Sequence, residues 1–161
     1  MDNAMREQAR SVILTLTTVG RTLATAESCT GGLLGAALTE IPGASAVYLG
    51  GVISYDYSVK ETLLSVDRAL LEQKGAICPE VACQMARGVR ERLHADLGVG
   101  ITGNAGPGTD PQNPNVGEVY VAVSDGLQTV CKRLDLQGDR TENRRAATAA
   151  AMQLLLEVLA K

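Results

Sequence analysis

The chain has 161 residues, of which 45% are hydrophobic and 20% charged, and its formal net charge is −3 at pH 7. This length predicts one domain with a single buried core. Phe and Trp are absent and no basic run occurs, which argues against a nucleic-acid-binding protein, since such proteins use aromatic stacking platforms and a positive surface.

The N-terminal segment and the hydropathy pattern predict where the protein resides. The first ten residues, MDNAMREQAR, are polar and lack the apolar core of a signal peptide. No uncharged apolar run approaches the ~18 residues that a spanning helix needs. We therefore expect a cytoplasmic protein with no membrane partner.

The first half of the chain alternates helix and strand signals. Apolar residues at helical spacing predict a helix over Asn3–Val19. A strand (TLATAE), a small-residue helix (TGGLLGAALTEI) and an apolar strand (AVYLGGVISY) follow. Ser58 and Glu61 stand in capping-box register, which predicts a helix that begins near Val59.

The second half adds helices and a hairpin. Helices are predicted over 67–74 and 80–94, the second with Pro79 in its first turn. DLGVGIT is a strand, GNAGPGTDPQNPN is a loop, and VGEVYVAVS pairs with QTVCKRLDL as a hairpin. A last helix begins after Asp139, with Glu142 in capping-box register. This order predicts a three-layer α/β/α sandwich with a mixed sheet, as one domain over 1–161.

Two candidate cofactor or metal signals are weak. The glycines of GVGITG, residues 98–103, have dinucleotide-binding spacing, but they lie within a predicted strand and do not open a helix. The four cysteines contain no C-x-x-C pair, and His94 is the only histidine. We therefore expect no metal, no cofactor and reduced thiols.

The stretch ATAESCTGG, residues 24–32, carries the strongest functional signal. Ser28 falls where a predicted strand ends and a helix begins, beside backbone N–H groups at the positive end of a helix dipole. Gly31 and Gly32 leave room for a ligand. This arrangement suits a nucleophilic hydroxyl with an oxyanion hole, a phosphate site, or a helix cap at Ser28 or Thr30.

A serine nucleophile needs a base, and the chain offers a lysine. Lys60 lies in the first turn of a predicted helix, at the end-of-strand level of Ser28, where the helix dipole lowers its pKa. Tyr55 is placed to relay or orient the proton. The alternative for Lys60 is a solvated surface charge, and the alternative nucleophile is a thiolate at Cys29.

The start of the last helix resembles an anion site. Arg140 follows the cap Asp139, so a cation stands at the positive end of a helix. A bound anion would meet both the guanidinium and free N–H groups. Arg144 is one turn further and is predicted to point the same way.

Three segments resemble the CinA C-terminal domain family, the nicotinamide-nucleotide amidases: AESCTGGLLGAALTEIPGASAVYLGGVISYDYSVKETLL, ITGNAGPG and GDRTENRR. The resemblance runs from about Arg6 to Leu159. It implies a three-layer α/β fold and hydrolysis of nicotinamide mononucleotide to nicotinic acid mononucleotide and ammonia, in pyridine-nucleotide salvage and without a metal. It also implies a nucleophile at Ser28, a lysine at Lys60 and a tyrosine at Tyr55.

The predicted partner is thus a small nucleotide, and a homo-oligomer is compatible with this interpretation. The oxyanion and substrate-binding residues are predicted to be Cys29, Thr30, Gly31, Gly32, Thr102, Gly103, Arg140 and Arg144. The chain departs from the usual family pattern at Asp56, Tyr57 and Asn104, and reads GPGT where GPGG is common. A molybdopterin-binding-like domain often precedes this domain in the family, and its absence here predicts the standalone form. The alternative function is a non-catalytic nucleotide-binding or regulatory module of the same fold.

Overall fold

Five strands form one mixed sheet in a computed structural model, which describes residues 1–161. The strands are β1 (Leu23–Glu27), β2 (Tyr48–Ile53), β3 (Leu97–Gly103), β4 (Glu118–Ser124) and β5 (Thr129–Asp135). Their order across the sheet is β2-β1-β3-β4-β5. β1 is parallel to both β2 and β3, whereas β4 is antiparallel to both β3 and β5.

Six helices cover the two faces of this sheet. They are α1 (Asn3–Val19), α2 (Leu33–Thr39), α3 (Tyr57–Leu64), α4 (Arg68–Lys74), α5 (Pro79–Arg92) and α6 (Arg140–Leu159). One hydrophobic core joins the sheet to α1, α2 and α6, and a second core joins it to α3, α4 and α5. The predicted three-layer α/β/α sandwich with a mixed sheet is confirmed. None of the helices has both the length and the apolar character that crossing a bilayer requires.

Local signals set the bounds of the longest helices. The Asp2 side chain accepts a hydrogen bond from the Met5 N–H at 2.8 Å, and Gly20 ends α1 at a φ of 66° that favours glycine. At α6, Asp139 and Glu142 form the predicted capping box.

Two helix starts differ from the sequence-based prediction. The residues after Ser28 form a turn, and α2 begins only at Leu33, after Gly32 with a φ of 99°. The capping box predicted at Ser58 is wrong: the Asp56 carboxylate accepts from the Ser58 N–H at 2.9 Å and caps α3. The acid two residues earlier is therefore the N-cap residue, and Ser58 lies inside the first turn of α3.

Glycines let α5 approach its neighbours closely. An added Cβ at Gly98 or Gly100 of β3 would lie 2.0 and 2.5 Å from carbonyl oxygens of α5. An added Cβ at Gly88 of α5 would lie 1.9 Å from the Leu64 carbonyl oxygen of α3. Helix α5 therefore rests on the sheet and on α3 through backbone contacts that no side chain can replace.

The chain order of the strands creates a crevice at the end of β1. From β1 the chain crosses to β2 on one side and later to β3 on the other. The carboxyl ends of these three parallel strands lie at the same edge of the sheet, and ligands of α/β proteins bind at such a switch point.

Candidate active site

A cavity of about 310 Å³ opens at the carboxyl ends of β1, β2 and β3. Among the residues predicted from the sequence, its walls include Ser28, Cys29, Tyr55, Lys60, Thr102, Gly103 and Arg140. The predicted residues outside its walls are Thr30, Gly31, Gly32 and Arg144.

Ser28 and Lys60 meet in this cavity. The Ser28 N–H donates to the Ile101 carbonyl of β3 at 3.0 Å, which holds Ser28 at the end of the sheet. The Lys60 Nζ, on the first turn of α3, donates to the Ser28 Oγ at 2.9 Å. It also donates to the carbonyl oxygens of Ser54 at 2.5 Å and Tyr55 at 3.3 Å. The segment after β2 therefore positions the amine beside the serine hydroxyl.

The surroundings of Lys60 shift its protonation equilibrium towards the neutral form. Its side chain is fully buried, and no carboxylate lies within ion-pair distance of its Nζ. Burial lowers the pKa of Lys60 to about 8, against the weaker opposing influence of Cys29, Asp56 and Asp110. The surface-charge alternative is thus excluded, and about a tenth of the amine is neutral at pH 7. Such a lysine can accept a proton near neutral pH.

Cys29 is less suited to nucleophilic attack than its neighbour. Burial raises the pKa of the Cys29 thiol to about 11, so it stays protonated at neutral pH. The backbone N–H groups of Cys29 and Thr30 make no hydrogen bond within the chain. The Cys29 N–H is therefore available to a developing oxyanion in the cavity.

Glu27, which sequence reasoning missed, occupies the start of α2. Its buried carboxylate accepts from the N–H groups of Leu34 at 2.9 Å and Gly35 at 3.1 Å. Neither Ser28 nor Thr30 caps the helix, so the cap interpretation of these hydroxyls is wrong. The free N–H groups expected at the helix start are also already bound, which removes α2 as a phosphate site. Glu27 instead ties the end of β1 to α2.

Arg144 supports the turn from outside the cavity. Its Nε donates to the Cys29 carbonyl at 3.1 Å and its Nη2 to the Thr30 carbonyl at 2.9 Å. Gly31 has a φ of 59°, and an added Cβ there would lie 3.3 Å from this Nη2. The expectation that Arg144 points with Arg140 toward a bound anion is corrected, because its guanidinium is engaged by the turn carbonyls.

Arg140 lines the cavity and joins two of its walls. Its Nη1 donates to the Gly106 carbonyl at 2.7 Å, and its Nη2 donates to the Tyr55 hydroxyl at 3.2 Å. The Tyr55 side chain is 62% exposed. Its hydroxyl makes no hydrogen bond to Ser28 or Lys60, so the structure does not bring it into the expected proton relay.

The end of β3 forms part of the cavity wall, but its side-chain hydroxyl is already hydrogen-bonded within the chain. The Thr102 hydroxyl donates to the Ala76 carbonyl at 2.8 Å and so anchors the segment that precedes α5. An added Cβ at Gly103 would lie 2.5 Å from a Val119 methyl group, so only glycine fits there. His94 is exposed and lies outside the cavity walls, and no group of three His, Cys, Asp or Glu side chains is placed to hold a metal.

Comparison with known proteins identifies the family to which the chain belongs. A family model described as the CinA C-terminal domain matches residues 5–159. The chain belongs to the CinA C-terminal domain family. The crystal structure of the competence/damage inducible protein CihA from Agrobacterium tumefaciens matches with a TM-score of 0.93 at 36% identity, over 100% of this chain and 98% of that one.

Curated relatives in the CinA family are longer than this chain. A CinA-like protein of Mycobacterium marinum is 47% identical over 143 residues, which are 88% of this chain and 33% of the relative. A CinA-like protein of Parasynechococcus marenigrum is 48% identical over 134 residues, which are 82% of this chain and 31% of the relative. The chain thus spans about a third of the length of these curated relatives.

Asp56 and Tyr57, two of the positions noted in the sequence, lie at the start of α3. Asp56 caps the helix, as described above. The Tyr57 hydroxyl donates to the Asp110 carboxylate and accepts from the Ala76 N–H at 3.1 Å. Both Tyr57 and Asp110 line the cavity. Sequence reasoning missed Asp110, because 53 residues separate it from Tyr57 and no local pattern joins them.

Asn104, the third of these positions, orders the loop that carries Asp110. Its Nδ2 donates to the carbonyl oxygens of Asn113 at 2.9 Å and Asn115 at 3.1 Å. Its Oδ1 accepts from the Asp110 N–H at 2.9 Å. Asn104 and Tyr57 together therefore hold a carboxylate in the wall of the cavity.

Proposed function

We propose that this CinA-family chain hydrolyses the carboxamide of nicotinamide mononucleotide, with Ser28 as nucleophile and Lys60 as base. The observation that carries the proposal is the 2.9 Å contact between the Lys60 Nζ and the Ser28 Oγ in a buried setting. A hydroxyl beside a desolvated amine is the arrangement that a serine amidohydrolase needs when no histidine serves as base.

The contacts of Lys60 orient its lone pair. A neutral amine has two N–H donors and one lone pair, and the Ser54 and Tyr55 carbonyls accept from two positions on the Nζ. The remaining direction points to the Ser28 Oγ. When the Lys60 amine is neutral, its lone pair thus faces the Ser28 hydroxyl proton that it has to accept.

Each step of the reaction then has a group to carry it. Neutral Lys60 takes the proton of Ser28 as the Oγ attacks the carboxamide carbon, and the Cys29 N–H donates to the resulting oxyanion. Protonated Lys60 gives this proton to the leaving amine, and ammonia departs. Water, deprotonated by Lys60, then attacks the acyl-enzyme. The bond to the Ser28 Oγ breaks, nicotinic acid mononucleotide is released, and protonated Lys60 returns the proton to the Ser28 Oγ.

The charges in the cavity support a nucleotide with a cationic ring. Nicotinamide mononucleotide carries an anionic phosphate and a pyridinium, and the cavity presents both Arg140 and Asp110. The N–H groups of Arg140 and Thr141 at the start of α6 make no hydrogen bond within the chain. A phosphate there would meet these N–H groups and the guanidinium, while Asp110 supplies the opposite charge for the ring or ribose. A volume of about 310 Å³ suits a ligand of this size.

The test is release of ammonia and nicotinic acid mononucleotide from nicotinamide mononucleotide by the purified chain. Wild-type protein should turn over, and Lys60→Arg should be nearly inactive, because a guanidinium keeps its proton at any usable pH. Binding of the nucleotide without turnover would replace the proposal with the non-catalytic nucleotide-binding module. If the Lys60→Arg variant turned the substrate over at the wild-type rate, the base would be a different residue.

A further inference from the structure

Two cysteines from different elements meet on the face of the sheet that α5 covers. Cys83 lies on α5 and Cys131 on β5, and both are partly exposed free thiols. Both pack against one small hydrophobic cluster, which consists of Ile77, Ala82, Ala86, Tyr120 and Ala122. Neither cysteine lines the proposed amidase cavity.

The register of the sheet and the seating of α5 bring them together. Cys131 pairs with Ala122 of β4, and Ala122 pairs with Gly100 of β3. The Ala82 carbonyl lies so close above Gly100 that an added Cβ would be 2.5 Å from it. Cys83 is the next residue of α5. Because this helix rests almost directly on the sheet, a side chain of the helix and one of the edge strand come within reach of each other.

The two thiols differ in acidity. The neighbouring Cys131 thiol lowers the pKa of Cys83 to about 7, with further help from the Arg87 guanidinium, whereas burial and Glu80 oppose this effect. The Cys83 side chain, together with burial, raises the pKa of Cys131. Cys83 is therefore the more acidic and more nucleophilic of the two groups, and a protonated thiol stands beside it. Redox-sensitive proteins place a reactive and a resolving cysteine in this relation.

We propose that Cys83 and Cys131 form a dithiol that hydroperoxides oxidise to an intramolecular disulfide. The Cys83 thiolate attacks one oxygen of hydrogen peroxide, the O–O bond breaks, and hydroxide leaves and is protonated to water. The Cys131 sulfur then attacks the sulfenic sulfur of Cys83, and hydroxide leaves with the Cys131 proton as a second water. Two thiols are oxidised to one disulfide, and one peroxide is reduced to two waters.

The disulfide would join α5 to the edge strand β5. It would close a long loop of the chain and thereby restrict the unfolded state. Oxidation should therefore raise the midpoint temperature of unfolding by about 5–10 °C, and a dithiol reductant should reverse the rise.

The experiment treats the reduced full chain with a small excess of hydrogen peroxide and measures the intact mass. We expect a monomer about 2 Da lighter, in which two of the four cysteines no longer react with a maleimide after denaturation. Trypsin should release residues 75–87 linked to residues 93–132. Cys78→Ser is the matched control, because Cys78 shares the first peptide with Cys83, and this variant should still form the link.

Cys83→Ser and Cys131→Ser should each fold, as judged by their melting curves, and should each lose the cross-link and the oxidation-dependent rise in midpoint temperature. The proposal is overturned if wild-type protein gives only intermolecular dimers or links Cys78 to Cys83. It is also overturned if Cys83 is oxidised to the sulfinic or sulfonic acid while Cys131 stays free. The wild-type mass and melting measurements decide this even where a variant is unstable.

Discussion

The Lys60 Nζ donates a hydrogen bond of 2.9 Å to the Ser28 Oγ, although 32 positions separate the two residues in the chain. Ser28 follows β1, and Lys60 follows the neighbouring parallel strand β2. Because no carboxylate pairs with Lys60, burial dominates its protonation. Single substitutions at these two residues therefore test the proposed function.

Ser28→Ala should reduce kcat/KM for nicotinamide mononucleotide by about 10⁴-fold or more, because the covalent step loses its nucleophile. Cys29→Ser should keep most of the activity, since the buried Cys29 thiol is protonated at neutral pH. Initial rates of ammonia release compare the two neighbours directly. If Ser28→Ala were active and Cys29→Ser inactive, Cys29 would be the nucleophile.

The pH dependence should follow the deprotonation of Lys60. Its pKa of about 8 means that the neutral, active fraction grows about tenfold per pH unit below that value. The kcat/KM should therefore rise from pH 6.5 to about 8 and then level off. The nucleoside lacks the titrating phosphate and should show the same inflection. A profile that is flat through pH 8 would contradict the role of Lys60 as base.

Lys60→Met should abolish turnover and yet stabilise the fold at pH 7. The pKa of Lys60 is about 8 when folded and 10.5 when exposed, so the penalty for burying this amine is fully present below pH 8. Removing it should raise the free energy of unfolding by about 1–3 kcal/mol at pH 7, after allowance for the lost hydrogen bonds.

The gain in Lys60→Met should shrink as the pH rises from 8 towards 10.5, where the exposed lysine also becomes neutral. Urea denaturation at pH 7 and pH 10 measures both values. Lys132→Met is the matched control, because Lys132 is partly exposed and pairs with Glu157. Destabilisation of Lys60→Met at both pH values would show that the amine holds α3 in place.

Arg140→Ala should selectively weaken binding of the phosphorylated substrate. A charge-assisted contact to phosphate is worth about 1.5–3 kcal/mol, or roughly 10- to 150-fold in kcat/KM. The nucleoside makes no such contact and should change little. Arg145→Ala is the matched control, since Arg145 is an exposed arginine on the same helix. An equal loss on both substrates would assign Arg140 to the architecture of the cavity.

Arg144→Met should instead lower activity equally on nucleotide and nucleoside. Its guanidinium holds the Cys29 and Thr30 carbonyls, so its loss loosens the turn that carries Ser28. We expect kcat to fall about 10- to 100-fold with little change in KM, and a destabilisation of about 1–2 kcal/mol. A loss of activity on the nucleotide alone would instead indicate that Arg144 binds the phosphate.

The sequence allowed the fold to be predicted where local signals were strong. The apolar spacing within α1 and the capping box at Asp139 place helix bounds without any knowledge of the tertiary structure. The alternation of helices and strands with a late hairpin was sufficient for the three layers. The proximity of Ser28 and Lys60 was predictable because both follow neighbouring parallel strands.

The remaining features depend on contacts between residues far apart in the chain. Glu27 reaches forward from a strand to bind the start of α2, and a strand residue carries no sign of such a role. Arg144 meets the Cys29 carbonyl across 115 positions. The Tyr57–Asp110 pair likewise exists only after the loop has folded. Helical position alone could not distinguish Arg140 from Arg144, since packing decides which guanidinium enters the cavity.

The absence of a side chain at Gly88 has a consequence for the geometry of the proposed active site. Gly88 touches the Leu64 carbonyl, and Leu64 ends the same short helix that carries Lys60. Any side chain at Gly88 would push α3 away from α5. This shift would lengthen the distance between the Lys60 Nζ and the Ser28 Oγ. The distance between the Lys60 Nζ and the Ser28 Oγ, the proposed reacting atoms, thus depends on a residue outside the cavity, and a larger residue at position 88 would require a compensating shift of the α3 backbone.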